Sequence, residues 1–120
     1  MTNSTALRVA AVLGLLGVAL GAFGAHGLKD VLQSHQAIAV WEKAAFYQFV
    51  HAVMLFVLAF RLPLVRGPWW SFFVGILLFS GSLYLLALTQ VKWLGAITPF
   101  GGVSFLVGWL WLAFKPPVSE

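Results

Sequence analysis

The sequence predicts an all-α polytopic membrane protein, a bundle of four transmembrane helices with a short interfacial segment between the first and second. Three observations predict it. Hydrophobic residues make up 62% of the 120 positions and charged residues 8%, whereas a soluble domain carries about 25% charged residues to wet its surface. Mean hydropathy is +0.98. The charged residues fall between long apolar runs, and those runs are continuous rather than alternating, which favours helices over a strand barrel. This balance excludes a soluble enzyme, a disordered tail and a disulfide-bonded secreted module. The chain has no cysteine, and its seven Lys and Arg are scattered, so neither thiol chemistry nor a nucleic-acid track is available.

A helix needs about 20 apolar residues to cross a hydrocarbon core of about 30 Å. Four stretches meet that requirement, near residues 7–26, 41–62, 68–90 and 94–114. Together they use nearly the whole chain as a single transmembrane domain. The first stretch has signal-peptide features, a basic Arg8 before an apolar run and small residues near Ala22 and Gly24, but it reads as a retained first span. Between the first and second spans, Leu28, Val31 and Leu32 suit a short amphipathic turn on the membrane surface. Ser34 is the expected cap of the helix that follows. Pro63, Gly67 and Pro68 divide the second span from the third. Thr98-Pro99 reads as a helix start with Thr98 as N-cap, the alternative being a kinked helix that begins at Trp93.

Four spans place both termini on one side, with Arg8, Arg61, Arg66 and Lys115. Lys29, Lys43 and Lys92 lie on the other. This excess favours cytoplasmic termini in a cell inner membrane. The six tryptophans are expected at the two headgroup boundaries, Trp69, Trp70, Trp109 and Trp111 at one and Trp41 and Trp93 at the other.

Small residues recur along two spans. Ala10, Gly14, Gly17, Gly21 and Gly24 share one face of the first, and Gly101, Ser104 and Gly108 one face of the fourth. Lipid supplies no hydrophobic drive for helix association, so such seams permit the close backbone approach that must replace it. They serve packing within the bundle, or an interface with another copy or a larger membrane complex.

The second span carries Tyr47, Gln48 and His51 at helical spacing. His51 lies about 12 Å beyond Lys43, close to mid-membrane. Ser80, Ser82 and Ser104 fall at a similar depth. Serine hydroxyls on neighbouring helices, or a backbone carbonyl, are therefore the expected partners of the imidazole, which burial should keep uncharged. His26, at the membrane boundary, could reach Glu42, Tyr47 or Gln48. The candidate polar cluster is thus His26, Tyr47, Gln48, His51, Ser80 and Ser82. It fits a structural network, a proton relay, or a pocket for a lipid- or quinone-type ligand. No metal-ligand spacing is recognisable. His51 is deep while His26 and His35 are near the surface, so bis-histidine haem ligation is not expected and no cofactor is assigned. A small oligomeric transporter or channel would also fit four spans, but proton-coupled export needs an embedded carboxylate, and Glu42 is at the boundary.

Four motifs occur in order: Gly21-Ala-Phe-Gly-Ala-His-Gly-Leu; Trp41 with Tyr47-Gln48 and His51-Ala52; Phe79-Ser-Gly-Ser-Leu-Tyr84; and Leu94-Gly-Ala-Ile-Thr-Pro-Phe-Gly-Gly102. On these the chain resembles the small bacterial membrane proteins of the domain of unknown function 423 family, which is similar to the eukaryotic transmembrane protein 256. The resemblance covers nearly the whole chain. It implies an inner-membrane or organellar protein of about four helices. It implies no activity and no catalytic residue.

Overall fold

A computed structural model describes residues 1–118. Four helices long and apolar enough to span a bilayer run side by side: α1 (Asn3–Ala25), α3 (Ile38–Ala59), α4 (Arg66–Thr89) and the segment Lys92–Phe114. The short α2 (Lys29–Ser34) lies between the first two. The last segment begins as a 3₁₀ turn, Lys92–Ala96, and continues as α5 (Thr98–Phe114). Pro99 sits in the first turn of α5, where its missing N–H leaves no bond unmade. The molecule measures 52 × 25 × 22 Å, long enough to cross the hydrocarbon and both headgroup layers.

Helix α1 packs along α3, α3 against α4, and α4 against α5. Helices α3 and α4 are therefore central, and α1 and α5 are outer helices with most of their surface exposed. At the end nearer the termini the core is built from Leu55, Leu58, Trp69, Phe72, Ile76 and Phe105. At the other end Leu32 of α2 packs with Ala37, Trp41 and Ala87. This is how the interfacial segment is anchored.

Local chemistry fixes the ends. Thr2 caps α1 by accepting the Thr5 N–H. The Asn3 side-chain amide donates to the carbonyls of Ala59 and Arg61, both at 2.8 Å, satisfying carbonyl groups at the end of α3. Ser34 does not cap α3. It is the last residue of α2, its hydroxyl donates back to the Val31 carbonyl, and Ala37 occupies the cap position of α3 without a side-chain bond. The reversal is made by Gln36, which adopts a left-handed conformation with φ 54°. Thr98 likewise lies inside α5 rather than capping it, because its hydroxyl pairs with Ser82 at 2.6 Å. Helix α4 contains a π-helical turn at Ile76–Ser80.

The glycine seams are used within the bundle with one exception. A Cβ on Gly24 would overlap the Trp41 indole, one on Gly108 the Phe72 ring, and one on Gly101 the backbone of Phe79. A Cβ on Gly17 would lie 3.6 Å from Gln48 and Phe49 and one on Gly21 3.8 Å from Ala45, ordinary contact distances against α3. The Ser104 hydroxyl donates to the Ser71 carbonyl. Gly14, by contrast, has open space beside it.

Two of the six tryptophans do not join the expected headgroup belts. Trp41 and Trp69 are 2% and 1% exposed and belong to the core. Trp41 is drawn inward because its indole N–H donates to the Leu20 carbonyl at 2.7 Å and its ring fills the space above Gly24. Trp70, Trp93, Trp109 and Trp111 retain exposed surface.

Candidate functional site

His51 is buried on α3 and both ring nitrogens are occupied. Nδ1 lies 2.8 Å from the Tyr47 carbonyl one turn earlier. Nε2 accepts the indole N–H of Trp109 on α5 at 3.0 Å. A carbonyl can only accept and an indole N–H can only donate. The two partners therefore require the neutral tautomer with its proton on Nδ1. The imidazole lies flat on Phe105, centroids 3.6 Å apart and planes 10° apart, and Phe72 meets it edge-on.

The expected serine partners are directed elsewhere. Ser80 donates to the Ala44 carbonyl of α3 at 2.7 Å, a bond made from the end of the π-helical turn. Ser82 donates to the Phe79 carbonyl or pairs with Thr98. Both hydroxyls bind helices together, but neither reaches His51. Ser80 meets α3 at Ala44, about two turns from His51 along that helix, and Ser82 turns toward the start of α5.

Gln48 also leaves the expected cluster. Its amide N–H donates to the Leu13 carbonyl of α1 at 2.9 Å, and its amide oxygen accepts the Tyr84 hydroxyl of α4 at 2.7 Å. One residue along from Tyr47, it points across the helix toward α1 while Tyr47 and His51 look toward α5. His26 is exposed at the end of α1, and its ring makes no hydrogen bond among the described residues, so it does not reach Glu42, Tyr47 or Gln48. The geometry thus forms two polar connections, Tyr47–His51–Trp109 and Leu13–Gln48–Tyr84, rather than one cluster.

Trp109, Tyr84 and Thr98 are the participants that the sequence reading missed. Trp109 was legible in part. It lies 11 residues beyond Thr98, about 16 Å into the membrane from the start of α5, which is deeper than a headgroup tryptophan needs to be. Outside the His51–Trp109 bond is a groove of about 410 Å³ lined by Tyr47, Phe79, Pro99, Gly102, Val103 and Leu106 among others. The Tyr47 hydroxyl has no partner among the described residues. No cluster of three or more His, Cys, Asp or Glu able to hold a metal occurs among the described residues.

The family model described as "Protein of unknown function (DUF423)" matches residues 20–102 of this chain. The chain belongs to the DUF423 family. The matched range begins within α1, ends within α5 and contains His51, Gln48, Ser80 and Ser82. Two DUF423 relatives are similar over most of their length. A UPF0382 membrane protein of Staphylococcus epidermidis is 48% identical over 116 residues, covering 87% of this chain and 91% of its own. The UPF0382 membrane protein YwdK of Bacillus subtilis is 46% identical over 106 residues, covering 83% and 85%. No solved structure matches this DUF423 chain. The four apolar helices and the membrane-protein relatives agree that it is an integral membrane protein.

Proposed function

We propose that this protein is a non-enzymatic helical bundle of the cell inner membrane, with cytoplasmic termini, that acts by packing with a second copy or within a larger membrane complex. One observation carries the reading. The polar side chains Gln48, His51, Ser80 and Ser82 inside the spans are bonded within the chain, while α1 and α5 turn apolar outer faces away from it. Leu15 and Val18 on α1, and Leu106 and Leu110 on α5, are each more than half exposed. Arg8, Arg61, Arg66 and Lys115 at the terminal side, against Lys29, Lys43 and Lys92 at the other, support this orientation. The absence of cysteine makes the test clean. Single cysteines at Leu15, Val18, Leu106 and Leu110 are expected to give a crosslinked product in native membranes from at least one helix. Failure at all four positions, with a monomeric mass on gentle extraction, would sink the reading.

A second reading is favoured by the groove beside His51. The groove is walled by aromatic rings, among them Tyr47, whose hydroxyl has no partner among the described residues. A phenol in lipid gains from an acceptor, so a quinone-type ligand with a flat ring and an apolar tail suits the space. Quenching of tryptophan fluorescence by a short-chain benzoquinone should saturate, and Tyr47→Phe should weaken it about fivefold, the worth of one hydrogen bond. Identical quenching in both proteins would exclude this ligand.

A further inference from the structure

A hollow of about 210 Å³ opens at the corner where α1, α2 and α3 meet, on the side opposite the termini. It is more enclosed than the groove beside His51. Its inner wall is Gly21, Gly24 and Ala25 of α1 with Trp41 of α3, and its rim carries Lys29 and Glu42. Both charged residues are exposed, and neither forms an ion pair with any described residue. The hollow therefore presents one cation and one anion at headgroup level above a floor of small residues.

A second, shallower groove of about 180 Å³ lies on the same seam between α1 and α3. Its walls include Ala10 and Gly14 of α1 with Ala52 and Val53 of α3. The two hollows are in register. Gly21 and Ala25 lie eleven residues after Ala10 and Gly14 on α1, and Trp41 and Glu42 lie eleven residues before Ala52 and Val53 on the antiparallel α3. Eleven residues are close to three helical turns, so both hollows lie on one side of the seam about 16 Å apart along it. That distance is about half the hydrocarbon core, the depth to which one acyl chain of a phospholipid in that leaflet extends. Gly14 keeps the lower groove open, because nothing lies within 4 Å of a Cβ placed there.

We infer that the α1–α3 seam holds a phospholipid with a phosphoethanolamine headgroup, its head between Lys29 and Glu42 and one acyl chain running down to the groove at Gly14. The chemistry separates this headgroup from its common alternatives. The phosphate needs a cation, which Lys29 supplies. The primary ammonium donates N–H bonds to a carboxylate, which Glu42 supplies. A phosphatidylcholine head has no N–H to donate, and a phosphatidylglycerol head brings no cation to Glu42.

Native mass spectrometry of the detergent-purified protein with equal amounts of phosphatidylethanolamine, phosphatidylcholine and phosphatidylglycerol tests the assignment. Phosphatidylethanolamine adducts on the monomer are expected to exceed the other two about threefold, the size of an exposed ion pair. Glu42→Gln should abolish that preference, and Lys29→Gln should weaken phosphatidylethanolamine and phosphatidylglycerol alike. Gly14→Leu should lower adducts of all three lipids without changing their order. Both charge changes are at exposed positions and Gly14 has room, so unchanged thermal unfolding of the three variants serves as the folding control. Equal binding of the three lipids overturns the inference, as does a preference that survives Glu42→Gln in a folded protein. Displacement of the lipid by soluble phosphoethanolamine at the same concentration would assign the hollow to a free headgroup instead. A dimer that Gly14→Leu abolishes, with lipid adducts unaffected, would assign the seam to a second copy. Either result overturns the lipid.

Discussion

Gly101→Ala is expected to destabilise the bundle by about 3 kcal/mol, the upper part of the range for overpacking a tight interface. The added methyl would fall on the backbone of Phe79, next to its amide nitrogen. A flexible side chain could swing away, but a helix backbone cannot, so α4 and α5 must separate along their contact. Separation would also strain the Ser82–Thr98 pair and the Ser104 bond to Ser71, which tie the same two helices. Gly14→Ala is the control. Its methyl meets open space, and alanine is the better helix former by up to about 1 kcal/mol, so the variant should be neutral or slightly stabilised. Thermal unfolding in a mild detergent compares the two. Equal behaviour would mean that the α4–α5 approach at Gly101 is not close.

The second large effect is expected at the imidazole. Trp109→Phe keeps most of the ring but removes the one donor to His51 Nε2 among the described residues. A buried acceptor left unmatched costs about 1–3 kcal/mol, and hydrogen bonds measured inside membranes fall at the low end, so about 1.5 kcal/mol is expected here. His51→Phe removes the acceptor and retains a flat ring against Phe105. In that background Trp109→Phe should cost little, and the difference is the coupling between the two residues. Ser82→Ala should show no coupling to His51, because its hydroxyl pairs with Thr98. Additive effects of the His51 and Trp109 changes would show that the bond contributes nothing.

The architecture was legible because lipid imposes simple rules. Charge-free length gave the four spans, and Pro63, Gly67, Pro68 and Pro99 marked turns and helix starts. Small-residue spacing identified the faces on which α1 and α5 meet their neighbours. Legibility failed where a side chain could choose among several partners. Counting residues puts His51 and the two serines at one depth, but Ser80 meets α3 at Ala44, about two turns from His51, and the π-helical turn at Ile76–Ser80 shifts the azimuth of everything beyond it in α4. Trp41 was misassigned for a related reason. An indole at the boundary reads as a headgroup anchor unless a carbonyl with a spare lone pair and a missing Cβ lie opposite, and both do at Leu20 and Gly24. Ser34 and Thr98 have the chemistry of caps, but hydroxyls also bond back along a helix or across to another, and those options prevailed.

The Asn3 amide gives the chain a particular order of assembly. Its two acceptors, the carbonyls of Ala59 and Arg61, lie 56 and 58 residues later. During synthesis the first rod enters the bilayer long before either carbonyl exists. It waits there unfastened until the next rod has crossed back and brought its far end to the side where the chain began. The clasp then closes a loop of nearly half the 120 residues with one short side chain at the start of α1. Any processing that removes Asn3 takes that clasp away and leaves this rod held by its seam and by the bonds from Trp41 and Gln48.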